Sequence, residues 1–179
     1  TMLACFLPSI SSAGPNADVE IQVAALSPPC GLNTGNAIEL NVSASNMSDV
    51  RQIKFEFSWG PPGAITSAFG TLGSTTESEA FIAPGPPQIE GNQAEWGMAI
   101  FSDQGLAGEG SLAQVGFEIA AGIDPTTHID IHLDAVSLGP SYTERDTIHP
   151  IQAVALGNYC NDEGQALSRG IYLRPVSNC

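Results

Sequence analysis

Basic residues are scarce in this chain of 179 residues, in which 5 Lys and Arg residues stand against 19 Asp and Glu residues. The net charge is −14, and Lys54 is the single lysine. A surface with such an excess of negative charge repels phosphate groups and anionic lipid head groups. The composition therefore argues against nucleic acids and membrane surfaces as partners.

Long apolar runs are also missing, since no run reaches the roughly 18 residues that a membrane-spanning helix needs. The sequence contains no G-x-S-x-G motif, P-loop or H-E-x-x-H motif. It contains no D-x-D-x-D-G calcium loop either, although a weak calcium site on the surface stays open. We therefore expect a non-enzymatic protein that needs no cofactor and does not insert into a membrane.

Alternating apolar residues, rather than helical periods, dominate the chain. Ile53, Phe55, Phe57 and Trp59 alternate with polar residues, and the Gly-Pro-Pro-Gly stretch at 60–63 must end that strand. Similar patterns predict strands near 19–23, 38–42, 80–82, 94–101, 112–119, 128–138 and 151–156. Residues 162–169 alone are predicted to be helical. With 19 Gly and 13 Pro to form turns, the fold class is predicted as all-β, a two-sheet jelly-roll-like sandwich.

The alternation also predicts which side chains face the core. The residues expected between the sheets are Phe55, Phe57, Trp59, Phe117 and Ile119. Those expected to face outward are Lys54, Glu56 and Glu118. Trp59 and Trp96 both alternate with other core residues, so neither is available to an exposed aromatic row. A carbohydrate-binding module, which would need such a row, therefore ranks third among the functions considered.

Polar residues alternate with apolar ones along the predicted strand at 128–138. His128, Asp130, His132 and Asp134 share one face, and an H-x-H pair on a strand can chelate a metal. Ile129, Ile131 and Leu133 would form the buried face, which makes the polar set the solvent side. We therefore predict no metal site, with His128, Asp130 and His132 as weak candidates.

Two N-x-S sequons, Asn41-Val-Ser and Asn46-Met-Ser, occur close together. Such sequons are N-glycosylation acceptors in secreted proteins, but they also recur by chance. Asn41 and Asn46 are therefore candidate glycosylation sites.

An apolar arm precedes the first predicted strand. Its large apolar side chains are Leu3, Phe6, Leu7 and Ile10. An ordered arm needs a surface that receives these side chains, and Pro8 suits an edge strand because it lacks one backbone donor. Residues 14–16, Gly-Pro-Asn, are interpreted as a turn or hinge that frees the arm from the first strand. The arm either packs on its own domain or adds a strand to the sheet of a neighbouring subunit, and sequence does not separate the two.

Residues from Asp18 to about Tyr159 resemble the cohesin domain family. The resemblance is carried by VEIQVAAL, by NAIELNVSASNMSDVRQIKFEFSW and by EWGMAIFSDQGLAGEGSLAQVGFEI. The last stretch contains the family's pattern G-x-L-A-x-(I/V)-x-F, matched here by Gly110, Leu112, Ala113, Val115 and Phe117. The matching residues are mostly packing and turn residues.

The resemblance implies a secreted or cell-surface sandwich of about nine strands that binds another protein. The family's usual partner is a dockerin, a small calcium-loaded helical module that docks on one sheet face. The expected domains are an arm at 1–16, a cohesin-like sandwich at 17–159 and a tail at 160–179. The arm and the tail lie outside the family pattern.

Four cysteines, Cys5, Cys30, Cys160 and Cys179, have no zinc-site spacing, and in a secreted chain they allow two disulfides in three connectivities. The resemblance selects among these, because the family's first and last strands lie side by side and parallel. It implies a Cys30–Cys160 disulfide, which leaves Cys5 with Cys179 in the same chain or between two chains.

Taken together, these features predict a secreted protein–protein association module. The first hypothesis is a homo-oligomer or polymer, a self-assembling subunit of an extracellular filament or sheath whose arm is donated between subunits. The alternative is a cohesin module that binds a dockerin-like partner for attachment to a cell surface.

Overall fold

The structure is a computed structural model that describes residues 14–26, 37–79, 87–101, 104–124, 127–149, 152–157 and 171–173. Its elements in chain order are β1 (Glu20–Ala25), β2 (Ala37–Val50), β3 (Gln52–Gly60), β4 (Ile65–Leu72), α1 (Ser74–Glu79), β5 (Gln88–Glu90), β6 (Gln93–Ala99), β7 (Leu106–Ile119), β8 (His128–Gly139), β9 (Asp146–Ile148), β10 (Gln152–Gly157) and β11 (Ile171–Leu173). The predicted all-β class is confirmed.

Two antiparallel sheets form the sandwich. The smaller sheet has four strands in the order β1-β2-β7-β4. The larger sheet has seven strands, in the order β11-β10-β8-β3-β6-β5, with β9 pairing β8 beside this path. Each sheet buries one face, as the alternating sequence predicts, so each presents the opposite face outward.

Aromatic rings from both sheets meet in the core. Phe117 of β7 packs against Phe57 and Trp59 of β3, with ring centroids 5.3 and 5.9 Å apart. Phe55 stacks on Trp96 of β6 at 5.8 Å, within the larger sheet. Phe55, Phe57, Trp59, Phe117 and Ile119 are all buried, as predicted from their alternation.

Trp96 reaches across the core to a glycine. A Cβ atom at Gly70 of β4 would lie 2.7 Å from Cε2 of the Trp96 indole, so the ring fills the space that a side chain would need. A glycine inside a strand commonly marks such a close approach. The indole therefore supplies the apolar volume that β4 lacks at this position.

Residues 14–16 are fixed to the sandwich rather than free to swing. The carboxylate of Asp146 on β9 accepts hydrogen bonds from the backbone amides of Gly14, at 3.1 Å, and Asn16, at 2.9 Å. The buried Asn16 side chain bonds both the amide and the carbonyl of Ser48, at 2.9 and 3.0 Å. The predicted turn is confirmed, but the interpretation of residues 14–16 as a hinge that frees the arm is wrong, because four hydrogen bonds hold them to the sandwich.

Several elements differ from the sequence-based expectations. β7 begins at Leu106, since Gly108 and Gly110 pair with β2 where a break was expected between 105 and 110. A helix, α1, follows β4, where none was predicted. Strands β4, β5, β9 and β11 were also not predicted. The expected strand at 80–82 and the expected helix at 162–169 lie outside the described residues.

The first and last predicted strands lie in different sheets. Among the described pairings, β1 pairs with β2, whereas β10 pairs with β8 and β11, although β1 and β10 are in contact. Side-by-side parallel pairing, which the resemblance implied, is therefore not part of the described sheets. All four cysteines lie outside the described residues, as do Leu3, Phe6, Leu7 and Ile10, so the disulfides and the placement of the arm stay predictions.

We expect Phe55→Ala to lower the free energy of unfolding by about 3–5 kcal/mol, because it removes a fully buried ring from the core. Glu56→Ala, one residue further on the outward face, should cost less than about 1 kcal/mol. Urea unfolding of both variants measures the difference. Equal losses would contradict the register of β3, because a slip of one residue exchanges the two faces.

Candidate functional site

The outward face of the larger sheet carries charges of both signs. We call it the charged face and define it by Lys54, Glu56, Glu95, Asp130, His132 and Asp134. Lys54, Glu56 and the three residues of β8 are partly buried, and Glu95 is exposed. The three central strands β8, β3 and β6 position these side chains.

Lys54 joins two glutamates that would otherwise repel each other. Glu56 and Glu95 lie directly opposite each other on β3 and β6, an arrangement that is unfavourable for like charges. The Lys54 ammonium lies 2.9 Å from Oε1 of Glu56 and 3.0 Å from Oε1 of Glu95. Lys54 lies opposite Gly97 on β6. Because glycine has no side chain, the space beside Lys54 on this face is left open.

The surroundings of Lys54 act on its pKa in opposite directions. Partial burial lowers the pKa of Lys54, but the hydrogen bonds and charges of Glu56 and Glu95 together raise it by more. The pKa of Lys54 therefore lies above the usual lysine value. Lys54 therefore stays protonated throughout the neutral range. The charged face keeps a fixed positive centre between two negative groups.

The polar residues of β8 lie beside this centre. Ile129, Ile131 and Leu133 are buried, as predicted, and the intervening polar side chains face outward. His132 lies opposite Ser58 of β3, and its buried Nδ1 atom has no hydrogen-bond partner among the described residues. In the part of the chain that the structure describes, no three His, Cys, Asp or Glu residues are grouped as a metal site would need.

The outward face of the smaller sheet has a different chemistry. We call it the polar face and define it by Asn41, Ser43, Ser67, Phe69, Thr71, Ser111, Gln114 and Glu118. Ser111 donates a hydrogen bond of 2.6 Å to the amide oxygen of Asn41, and Ser67 donates one to the carboxylate of Glu118. None of the strands β1, β2, β4 and β7 contains Lys, Arg or His. The basic residues of the described strands thus belong to the larger sheet.

The two sequons differ in their surroundings. Asn41 is partly buried and bonded to Ser111, whereas Asn46 is exposed in a left-handed conformation, with φ of 63°. Asn46 lies at an irregularity in the pairing of β2 with β7. Of the two candidate glycosylation sites, Asn46 is the more accessible.

A separate ion pair holds the corner between β2 and β3. Arg51 donates a hydrogen bond of 2.9 Å to Asp49, and the amide of Gly105 donates a second bond of 3.1 Å. The bond from Arg51, followed by that from Gly105, holds the pKa of Asp49 below its usual value even though slight desolvation opposes them. This corner is structural, since it ties the start of β7 to the β2–β3 turn.

Sequence reasoning did not find Phe69 or the opposition of Glu56 and Glu95. Both depend on which residues face each other across strands, and a strand pattern alone does not contain that register. The sequence signal for β4, and so for Phe69, was weak because two of its inward positions, Ala68 and Gly70, carry small residues. Within the described residues, no helix is long and apolar enough to span a membrane.

We expect Lys54→Met to lower stability by about 0.5–1 kcal/mol at low ionic strength, because it leaves Glu56 facing Glu95 without a cation. High salt should reduce this loss by screening the repulsion. Adding Glu95→Gln to Lys54→Met should restore most of the stability. Thermal unfolding at low and high NaCl tests this, and a loss independent of both salt and Glu95 would contradict the electrostatic explanation.

Comparison with known proteins gives matches by structure alone, since no family model and no curated protein matches the sequence. The second type II cohesin module of the adaptor ScaA scaffoldin of Acetivibrio cellulolyticus is 13% identical, with a TM-score of 0.52. The match covers 73% of this chain and 90% of that module. The sixth cohesin of scaffoldin B from the same organism, solved in complex with a Cel5 dockerin mutant, is 12% identical with a TM-score of 0.51, covering 78% and 97%.

A non-cellulosomal cohesin from Archaeoglobus fulgidus has a higher identity of 24% and a TM-score of 0.44, with 66% of this chain and 77% of that chain covered. The fold assignment rests on the two Acetivibrio structures, whose TM-scores exceed 0.5. At these identities the likeness concerns the fold. The chain is a β-sandwich with a cohesin-like fold, as its sequence resemblance implied.

Proposed function

We propose that this protein is a non-enzymatic, extracellular module that binds a partner protein on its charged face. The observation that carries the proposal is the cluster of Lys54, Glu56 and Glu95, which holds charges of both signs in fixed positions on an open sheet surface. Fixed charges of both signs favour specific recognition, because a partner with misplaced charges is rejected.

The shape of this face suits a protein better than a small molecule. The central strands β8, β3 and β6 pair over long stretches, and small residues such as Ser58 and Gly97 lie between the charged ones. Partly buried polar side chains have less freedom to lose when a partner covers them, which lowers the cost of association.

The fold and the charge support one class of partner. A cohesin with a similar fold was solved with a dockerin, so we infer a dockerin-like helical module as the partner. Acidic residues outnumber Lys54 on this face, and the whole chain carries a charge of −14. Basic residues on the contacting surface of the partner would therefore complement it.

Titration of the full chain with a panel of calcium-loaded dockerin modules, followed by calorimetry, tests this proposal. We expect at least one module to bind, and Glu95→Lys, which sets a positive charge against the basic surface of the partner, to weaken that binding by about tenfold or more. Gln114→Ala, on the polar face, is the matched control and should bind normally. Absence of binding across the panel, or equal losses for both variants, would overturn the docking proposal.

Self-assembly is the second candidate function. In the described residues, β1 and β4 lie at the two edges of the smaller sheet, and an edge strand offers unpaired backbone groups to an added strand. The arm with Leu3, Phe6, Leu7 and Ile10 could supply such a strand to a neighbouring copy, with Cys5 and Cys179 as a covalent link.

Deletion of residues 1–13 tests self-assembly separately from docking. We expect the full chain to form oligomers whose mass rises with concentration, and the deletion variant to be a folded monomer, as measured by light scattering after size exclusion. The deletion stops before Asn16, so the hydrogen bonds between Asn16 and Ser48 are kept and the variant is expected to fold. A full chain that stays monomeric, or a truncated chain that still assembles, would exclude the arm as the assembling element.

A further inference from the structure

Phe69 on β4 lies on the outward surface of the smaller sheet. It is opposite Gly116 of β7, and it is 38% exposed. A Cβ atom at Gly116 would overlap the ring, with Cζ nearest and Cε2 and Cε1 at nearly equal distances behind it. Both Cε atoms are only slightly farther from that point than Cζ is, which places the point over the face of the ring at Cζ, because a point in the ring plane would lie much farther from both Cε atoms. The phenyl ring therefore lies flat across the sheet and turns its other face to solvent.

Gly116 makes this orientation possible. Any larger residue there would lift the ring from the sheet, and a glycine within a strand commonly marks such a close approach. Phe69 thus differs from an isolated apolar residue on the surface, because its ring is held in one orientation by its packing on Gly116. A flat aromatic surface of this kind is presented before any ligand arrives.

Hydrogen-bonding side chains surround the ring on both strands. Ser67 and Thr71 lie two residues before and after Phe69 on β4, and Gln114 and Glu118 lie two residues before and after Gly116 on β7. Adjacent outward positions on a strand are separated by about 6.6–6.8 Å. The Phe69 ring, which we call the platform, is therefore bordered by hydroxyl, amide and carboxylate groups. Their distance from the ring along each strand is about the width of one sugar ring.

Charge narrows the class of ligand. The strands of the smaller sheet contain no Lys, Arg or His, while Glu39 and Glu118 lie beside the platform. Anionic ligands would meet these carboxylates without a compensating cation. A second copy of the chain using the same face would bring glutamates against glutamates. A neutral ligand rich in hydroxyl groups carries no such penalty, since hydroxyls donate to carboxylates and both donate to and accept from amides.

We propose that the polar face binds a neutral polysaccharide, one sugar ring of which stacks its C–H face on Phe69. The aromatic face is electron-rich and attracts C–H groups, while the bordering side chains hydrogen-bond the sugar hydroxyls. Buried Trp59 and Trp96 take no part. The site lies on the sheet opposite the charged face, so it is independent of partner docking and allows one module to bind a protein and a glycan together.

Native affinity electrophoresis of the full chain tests the proposal, since a charge of −14 moves the protein readily through a gel. The gels contain mixed-linkage β-glucan, xyloglucan or galactomannan as neutral polymers, or polygalacturonate as an anionic one. We expect at least one neutral polymer to retard the protein and polygalacturonate to have no effect. No retardation by any neutral polymer, or equal retardation by polygalacturonate, would overturn the proposal.

Variants locate the site. Phe69→Ala should abolish the retardation or weaken it at least about tenfold, whereas Phe69→Trp should retain it. Ile89→Ala is the matched control, because Ile89 is also 38% exposed but lies on the other sheet. Circular dichroism confirms folding of each variant. Retardation that survives Phe69→Ala, or that is lost equally in Ile89→Ala, would show that Phe69 is not the platform.

Discussion

The contact of Phe117 with Phe57 and Trp59 joins the two sheets, and the rest of the structure depends on it. One ring from β7 meets two from β3, so the central strands of both sheets are held at a single spacing. Because side chains alternate along a strand, the residues that face the core also determine which of their neighbours point outward. Lys54 and Glu56 face solvent since Phe55 and Phe57 face the core, and Gly116 lies on the outer surface since Phe117 lies inside.

The two outer faces that result are chemically distinct. The charged face combines a protonated lysine with carboxylates and a histidine, whereas the polar face has hydroxyls, amides, glutamates and one flat aromatic ring. Charges of both signs suit recognition of another protein, and neutral polar groups around a ring suit a sugar. A thin sandwich allows both to be used at once, because ligands on opposite sheets do not compete for space.

Much of the core was predictable from sequence, since β3 and β7 follow the alternating pattern with large apolar residues. β4 was missed because its inward positions include Ala68 and Gly70, and Trp96 from the other sheet fills the space beside Gly70. The sites were less predictable. The pairing of Glu56 with Glu95, and of Phe69 with Gly116, arises only when two strands meet in one register, and no local pattern specifies that register.

The bonds made by Asn16 and Asp146 determine how the sandwich carries a mechanical load. A force pulling on the segment before residue 14 reaches these bonds before it reaches the pairing of β1 with β2. The load then divides between Ser48 on the smaller sheet and Asp146 on the larger one. Tension at that end therefore pulls on both layers together instead of peeling a single edge strand.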